Sequence, residues 1–158
     1  MKIICIGRNY SDHINELGNT RPSYPVVFLK PDSSIIAKNQ NFIIPAFSNE
    51  IHHEVELVIK INKVGKHIHQ TDANKYYNEI GHGIDFSCKK NSELIQMGKS
   101  SNMLWKVDEL ISYISKYFTL KIGDLIFTGT PSGVSKVNSE DLLEGYINSI
   151  KMFSIKVK

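Results

Sequence analysis

The sequence predicts a single domain of the α+β class. Strand-like segments outnumber helix-like segments, and the two kinds do not alternate along the chain, which argues against a doubly wound sheet. The chain has 158 residues, the usual size of one domain with a real core. Its 41% hydrophobic and 22% charged residues are typical of a soluble globular protein.

Six segments have the composition of β-strands. They are rich in Ile, Val and Phe, and they are bounded by Gly, Pro, Asn or Ser. In chain order the predicted strands cover residues 2–6, 26–29, 42–44, 54–61, 124–128 and 152–157.

Three segments predict helices. The first covers residues 10–17 and ends before Gly18, a natural stop. The second covers residues 72–80, with Thr71 or Asp72 as its cap. The third and strongest covers residues 103–118, where apolar residues recur at spacings of three and four and form one core-facing side. These residues are Leu104, Val107, Leu110, Ile111, Ile114 and Phe118.

Charge and composition exclude several classes of function. The net charge of +3 is spread as single lysines among acids, without the basic cluster that nucleic-acid binding requires. No apolar run approaches the ~20 residues of a membrane span. The first ten residues predict a strand and not a signal peptide, so we expect a cytoplasmic protein. Cys5 and Cys88 form neither a disulfide framework nor a zinc-type spacing.

The most informative segment is the acidic strand His53-Glu54-Val55-Glu56-Leu57-Val58-Ile59. Alternation puts Glu54, Glu56 and Val58 on one face, and both faces become apolar further along, which predicts burial on both sides. Two buried neighbouring carboxylates cost several kcal/mol unless they are compensated, and a divalent cation would compensate them. Asp85, flanked by apolar residues, offers a third carboxylate. The alternative is a solvated edge strand whose glutamates pair with lysines.

A cation held in this way would be a hard one. Carboxylate oxygens without cysteine or histidine at ligand spacing favour Mg²⁺ or Mn²⁺, with Ca²⁺ as a third candidate.

Two further segments carry chemistry. His13 and Glu16 are i,i+3 neighbours on one helix face, where a carboxylate can orient an imidazole that activates water; the alternative is a surface pair. The loop 127–134 follows a strand and offers hydroxyls and backbone N–H groups that can hold an anion; the alternative is an ordinary turn. His67 and His69 alternate on a possible hairpin arm and either bind a metal or lie in solvent.

Taken together, these segments resemble the fumarylacetoacetate hydrolase family in its short single-domain form. The resemblance rests on five motifs in the family's order. They are Ile6-Gly7-Arg8-Asn9-Tyr10 with His13 and Glu16, Phe28-Leu29-Lys30-Pro31, His53-Glu54-Val55-Glu56-Leu57, Gly83-Ile84-Asp85-Phe86, and Gly123-Asp124 continuing through Thr128-Gly129-Thr130-Pro131-Ser132-Gly133-Val134.

The resemblance implies a mixed β-sandwich roll that usually forms a homodimer. It also implies a hydrolase, lyase or isomerase that acts on a small 2-oxo acid or acylpyruvate. The implied roles are Mg²⁺ or Mn²⁺ ligands (Glu54, Glu56 and Asp85), a catalytic pair on a lid (His13 and Glu16), and substrate contacts (Arg8, Tyr10, Lys30 and Thr130). In this family the metal acts as a Lewis acid on an enolate.

The chain departs from the family pattern after Asp85. The family continues there with an arginine and later a lysine that faces the substrate. Here residues 86–90 run straight into Asn91-Ser92-Glu93-Leu94-Ile95-Gln96, which resembles a strand that comes much later in the family. The sequence therefore predicts an internal deletion near residues 88–91. A chain shortened in this way is either an active enzyme or a remnant that keeps metal binding in a binding or structural role.

Overall fold

The computed structural model describes residues 1–37, 40–78 and 83–158. Within these ranges the chain has two α-helices, α1 (Ser11–Glu16) and α2 (Val107–Tyr117). The strands are β1 (Ile3–Gly7), β2 (Val26–Lys30), β3 (His52–His53), β4 (Val58–Lys60), β5 (Asp85–Lys90), β6 (Glu93–Lys99), β7 (Leu125–Phe127), β8 (Ser135–Lys136), β9 (Leu142–Ile147) and β10 (Ile150–Lys156). Many strands with few helices, not alternating, confirm the α+β prediction.

The strands of the described ranges form two four-stranded sheets and one two-stranded sheet. The first sheet has the order β2-β1-β7-β4 and is mixed, since β1 runs parallel to β7 and antiparallel to β2. The second has the order β10-β9-β5-β6 and is antiparallel. The third pairs β3 with β8, which joins the acidic segment to the loop that follows β7.

The main core lies on one face of the first sheet. Ile4, Ile126 and Ile59 are in register across β1, β7 and β4, and all three are buried. They belong to the same buried cluster as Leu110 and Ile114 of α2. The apolar face predicted for this helix therefore packs in the core.

A second buried cluster includes part of the acidic segment. It joins residues of four segments, and its members are Tyr10, Val55, Leu57, Phe86, Cys88 and Met103. This cluster connects the start of α1, the acidic segment and β5.

Several predicted elements have different bounds in the structure. Helix α2 begins at Val107 and not at residue 103, because the backbone N–H of Lys106 donates to the Glu109 carboxylate at 2.7 Å and caps the helix there. The predicted helix 72–80 is a 3₁₀ helix over Gln70–Tyr76, and residues 79 and 80 lie outside the described residues. The predicted strand 42–44 is a single bridge from Phe42 to Val157.

Of the long strand predicted for residues 54–61, only Val58–Lys60 is a regular strand (β4). Ile61 forms a single bridge with Tyr77, and residues 54–57 connect β4 to β3, which precedes the predicted segment. Five strands lie outside the six predicted segments, namely β3, β5, β6, β8 and β9. They contain many polar residues on exposed sides, which weakens the apolar signal of a strand.

Both cysteines are free and buried. Burial, followed by the nearby charge of Glu56, raises the pKa of the Cys5 thiol to about 11. Burial also raises the pKa of Cys88 above its usual range. No helix of the described ranges combines the length and the apolar character that crossing a membrane requires.

Candidate active site

Helix α1 brings an imidazole and a carboxylate together. His13 Nδ1 lies 3.0 Å from Glu16 Oε2, so the predicted i,i+3 contact is confirmed. His13 is buried, and the Oε1 atom of Glu16 accepts a hydrogen bond from the Gly133 N–H at 3.0 Å. The hydrogen bond with His13 is the main cause that lowers the pKa of Glu16, and the backbone of Gly133 contributes to the same shift. Glu16 is therefore ionised at neutral pH.

The acidic segment alternates as the sequence predicted. Val55 and Leu57 are buried, whereas Glu54 is exposed and Glu56 is partly buried. The predicted burial on both sides is wrong, because Val58 is 43% exposed and Glu54 faces solvent. The outer face of this segment is thus open, and only Glu56 is substantially removed from water.

Glu56 is the most perturbed carboxylate of the site. Loss of hydration is the largest effect, and together with the charge of Glu54 it raises the pKa of Glu56 to about 7. Two groups oppose this rise, namely the backbone N–H of Gly129, which donates to Oε2 at 2.6 Å, and the Lys30 ammonium. A carboxyl group with a pKa of about 7 exchanges its proton near neutral pH.

The backbone at Gly129 requires glycine. Its φ is +98°, and a Cβ atom there would lie 2.9 Å from the Cβ of Asn9 and 3.1 Å from the Ile6 carbonyl oxygen. The Asn9 side chain also bonds to the adjacent Thr128 carbonyl at 2.8 Å. The close approach of these segments directs the Gly129 N–H at Glu56.

Tyr10 adds an unsatisfied donor. The residue is 3% exposed, and its hydroxyl has no hydrogen-bond partner within the described part of the chain. Burial, and after it the charge of Glu56, raises the pKa of Tyr10 above its ordinary range. Tyr10 lines a cavity of about 320 Å³ together with Asp12 and Ser132. An orphaned hydroxyl beside a cavity is a group that a ligand can satisfy.

Two other predicted substrate contacts are cationic. Lys30 ends β2 at the surface and is close enough to lower the pKa values of both Glu56 and Cys5. Arg8 is exposed and has a φ of +58° between β1 and Tyr10. Both therefore lie beside segments that carry site residues, and Lys30 acts electrostatically on Glu56.

Thr130 is held within the protein. Its hydroxyl donates to the Val55 carbonyl at 2.9 Å and accepts from the Gln96 side-chain amide at 2.9 Å. Because the Thr130 hydroxyl donates its proton to the Val55 carbonyl, this residue holds the acidic segment in position. The structure gives the Thr130 hydroxyl a positioning role, and the substrate contact of Thr130 stays a prediction.

Asp85 does not join the two glutamates. It is the first residue of β5, its side chain is exposed, and its Oδ1 lies 3.6 Å from the Lys99 Nζ. In the described ranges no three His, Cys, Asp or Glu side chains come together in a group that could hold a metal ion. The predicted three-carboxylate cluster is therefore wrong in its third member. Pairing with β6 and strand alternation turn Phe86 into the core and Asp85 outward.

The histidines of the 67–69 segment lie in solvent. Both His67 and His69 are exposed, and His69 Nδ1 is 2.8 Å from the Thr71 hydroxyl. His67 has a φ of +51°, so the segment is not a regular hairpin arm. The solvated alternative holds for this pair.

Sequence reasoning missed a polar network behind the acidic segment. It joins His53 to Gln96 and Ser135, residues that are far apart in the chain and are brought together by three strands. Burial is the main cause that lowers the pKa of His53, and the Lys90 charge adds to it. No local sequence pattern predicts such a network, because each member is one polar residue in a different segment of the chain.

The chain is similar to known proteins over almost its whole length. A family model described as the fumarylacetoacetate hydrolase C-terminal domain matches residues 2–80 and 77–155. A curated relative, the mitochondrial oxaloacetate tautomerase FAHD1 of Mus musculus, is 32% identical over 201 residues, covering 99% of this chain and 91% of the relative. That matched length exceeds the 158 residues of this chain, so the relative carries residues that have no counterpart here.

Solved structures show the same fold. A fumarylacetoacetate hydrolase family protein from Yersinia pestis CO92 superposes with a TM-score of 0.93 at 27% identity, covering 99% of this chain and 93% of that chain. The fumarylpyruvate hydrolase of Pseudomonas aeruginosa, in complex with Mn²⁺ and pyruvate, superposes with a TM-score of 0.92 at 25% identity, covering 99% and 89%.

Proposed function

The chain belongs to the fumarylacetoacetate hydrolase family, and we propose that it is an enzyme that acts on a small 2-oxo acid or acylpyruvate. Named members of the family include an oxaloacetate tautomerase and a fumarylpyruvate hydrolase. The substrate classes in these two names both carry a carbonyl next to a carboxylate. The proposed reaction begins with removal of a proton, from the carbon beside the carbonyl in isomerisation or from a water in C–C bond cleavage.

One observation carries this proposal: a single loop hydrogen bonds to two functional carboxylates. At one end the N–H of Gly129 donates to Glu56, and at the other end the N–H of Gly133 donates to Glu16. The loop thereby fixes Glu56 and the His13–Glu16 pair relative to each other. Its Ser132 lines the same cavity as Tyr10.

The chain's own residues supply proton transfer and binding. His13 accepts the proton, and the ionised Glu16 orients its ring and stabilises the imidazolium that forms. Tyr10 donates its unpaired hydroxyl to a substrate oxygen. Lys30 and Arg8 are the cations on the adjoining segments that suit a substrate carboxylate.

We also propose that Glu54 and Glu56 hold a divalent cation, Mg²⁺ or Mn²⁺, with Ca²⁺ as a third candidate. The donor set fits in part, because two carboxylates suit a hard cation. Loss of hydration, followed by the charge of Glu54, raises the pKa of Glu56, and a bound cation would offset both effects. The absence of Asp85 from the group leaves a two-carboxylate site that we expect to bind weakly. When bound, such a cation supplies Lewis-acid stabilisation of an enolate.

A second candidate function is favoured by the position of Asp85. A chain that lacks the third carboxylate and has undergone internal deletion near residues 88–91 would be a remnant that binds the cation and ligand without turnover. The length of the aligned tautomerase supports such a deletion. Metal-dependent turnover excludes this candidate.

The proposal includes a homodimer in the cytoplasm. Phe28 and Val58 are 47% and 43% exposed, and both lie on the face of the first sheet opposite α2. This exposed apolar surface supports the association of two copies of the chain. Light scattering coupled to size-exclusion chromatography measures the mass directly. A monomer at micromolar concentration would contradict the dimer and leave the enzymatic proposal intact.

The decisive experiment measures turnover. Purified folded protein is mixed with oxaloacetate or acetylpyruvate, with Mn²⁺ or a chelator, and the enol absorbance is followed. We expect accelerated loss of the enol with Mn²⁺, and a rate reduced to background in His13→Gln. If no substrate of this class is turned over by folded protein, the enzymatic proposal fails and the remnant remains.

A further inference from the structure

A histidine of β3 faces both a serine and a glutamine in the polar network behind the acidic segment, which the proposed 2-oxo acid reaction does not use. His53 lies directly opposite Ser135 in the β3–β8 pair, and its Nε2 atom is 2.7 Å from the Ser135 hydroxyl oxygen. On its other side, Nδ1 is 2.9 Å from the Oε1 atom of Gln96. His53 and Gln96 are buried, at 7% and 2% exposure, whereas Ser135 is half-buried.

The hydrogen bonds of Gln96 fix which nitrogen of His53 carries the proton. The Nε2 group of Gln96 faces the Pro131 carbonyl, which can only accept, and its Oε1 atom faces the Val55 N–H, which can only donate. The orientation of the amide is therefore forced. Since Oε1 can only accept, the Nδ1 atom of His53 must be the donor. In the neutral imidazole, Nε2 is then an unprotonated acceptor that faces Ser135.

Lys90 completes the surroundings of the serine. Its ammonium lies 3.1 Å from the Ser135 hydroxyl oxygen and 3.0 Å from the Lys136 carbonyl. An ammonium can only donate, so the hydroxyl oxygen accepts from Lys90 and directs its own proton to His53. Ser135 is thus bonded to a base on one side and to a cation on the other, which favours formation of an alkoxide.

An apolar cavity adjoins this group. It has a volume of about 210 Å³, and His53 forms part of its wall together with Val55, Leu143 and Phe153. Its other polar lining residues are His52 and Glu54, and among the described residues neither a lysine nor an arginine lines it. A mostly apolar cavity of this size, with a carboxylate on its wall, suits a short aliphatic chain and not an anion.

We propose that Ser135, His53 and Gln96 are the nucleophile, the base and the positioning residue of a second site, which hydrolyses esters of small apolar carboxylic acids. Ser135 Oγ forms a bond to the ester carbonyl carbon, its proton moves to His53 Nε2, and the carbonyl electron pair moves onto the oxygen, near the Lys90 ammonium. Collapse of this intermediate expels the alcohol, which takes the proton from His53. Water then cleaves the acyl-serine by the same route in reverse.

Covalent labelling tests the nucleophile without any need for the natural substrate. A fluorophosphonate probe forms an oxygen–phosphorus bond with an activated serine and releases fluoride, and peptide mass spectrometry locates the adduct. We expect an adduct on Ser135 that is absent in Ser135→Ala and unchanged in Ser139→Ala, an exposed serine nearby. Hydrolysis of p-nitrophenyl butyrate is expected to fall to background in Ser135→Ala.

The base is tested by His53→Gln, which should slow labelling of Ser135 by about a hundredfold or more. Heat-denatured wild-type protein gives the unactivated rate, so partial unfolding of this variant does not obscure the comparison. A folded wild-type protein labelled no faster than the denatured one, or an adduct on another serine, would overturn the proposal.

The positioning role of Gln96 has a separate spectroscopic readout. The ¹⁵N chemical shifts of His53 should show the Nδ1-protonated tautomer in the wild type and a shift toward the Nε2-protonated tautomer in Gln96→Leu. An Nε2-protonated ring in the folded wild type would contradict the arrangement. These measurements do not involve His13 or Glu16, so their outcome is independent of 2-oxo acid turnover.

Discussion

The backbone N–H of Gly129 lies 2.6 Å from the Oε2 atom of Glu56. This hydrogen bond is the main attractive contact of a carboxylate that has otherwise lost much of its hydration. It depends on a positive φ at Gly129 that residues with a side chain rarely adopt, and it connects the loop 127–134 to the acidic segment. The loop and the acidic segment should therefore respond together to substitution and to pH.

Substitution of Gly129 should lower the unfolding free energy by more than the strain of its backbone conformation alone would. In Gly129→Ala the new methyl group meets Asn9 and the Ile6 carbonyl, so the loop must shift away from Glu56. Gly123→Ala is a matched control, because Gly123 has a similar φ of +89° but nothing lies within 4 Å of the position that an alanine methyl group would occupy. We expect a loss of about 1–3 kcal/mol in unfolding free energy for the control and more for Gly129→Ala, measured by urea titration. Equal losses would contradict the contact argument.

The raised pKa of Glu56 makes stability depend on pH. Its pKa is about 7 in the folded chain against an ordinary value of 4.5, so the folded chain binds this proton more tightly than the unfolded chain. The resulting stabilisation is complete below the unfolded pKa and is lost as the pH rises through about 7. Relative to Glu56→Gln, the wild type should lose about 1–3 kcal/mol of unfolding free energy between about pH 5 and pH 8.

The matched control for this titration is Glu54→Gln. Removing the exposed neighbour eliminates one cause of the raised pKa but leaves the loss of hydration of Glu56 in place. The unfolding free energy of Glu54→Gln should therefore still fall as the pH rises, but by less than that of the wild type. A flat wild-type profile across the same range would contradict the assignment.

Cation binding should distinguish the carboxylates. Glu56→Gln removes a proposed ligand and is expected to weaken Mn²⁺ binding about tenfold or more, equivalent to about 1.4 kcal/mol. Asp85→Asn should leave the affinity unchanged, because Asp85 is exposed beside Lys99. The free Mn²⁺ signal in electron paramagnetic resonance measures both. A large effect of Asp85→Asn would mean that the aspartate reaches the glutamates in solution.

The His13–Glu16 pair should be required for turnover. Glu16→Gln removes the charge that stabilises a protonated His13 but keeps an oxygen for the Gly133 N–H, so the loop remains anchored. We expect a loss of about a hundredfold or more in kcat for a 2-oxo acid. Glu93→Gln, on the exposed start of β6, serves as the control for loss of one carboxylate. Equal activity in the two variants would exclude the pair from catalysis.

The three isoleucines in register across β1, β7 and β4 should contribute strongly to the unfolding free energy. Ile126 is 1% exposed between Ile4 and Ile59, and Ile126→Ala is expected to cost about 2–5 kcal/mol. Ile122→Ala removes the same atoms at a position that is 67% exposed, and it should change stability by less than about 0.5 kcal/mol. Comparable losses would mean that the core does not lie where α2 meets the sheet.

Local patterns predicted much of the fold. The periodic apolar residues of α2 and the contact of His13 with Glu16 depend only on helix geometry, and the structure has both. The alternation of Val55 with Glu56 likewise depends only on strand geometry. Such features need no knowledge of which segments meet.

Features that depend on distant partners could not be predicted. The direction of Asp85 follows from its pairing with Lys99 of β6, a residue that no pattern around Asp85 indicates. Nor does the sequence near His53 indicate Gln96 or Ser135, since three separate strands bring them together. Whether Val58 is exposed depends on which segments cover the sheet, and the apolar residue type alone does not predict this.

The buried thiols have a practical consequence. Cys5 and Cys88 are enclosed, and their raised pKa values leave almost no thiolate at neutral pH. Maleimide reagents and air should therefore leave the native sulfur atoms unmodified while the chain is folded. A cysteine introduced at an exposed position such as Ser139 would accept a fluorophore selectively, which makes distance measurements possible in the otherwise natural sequence.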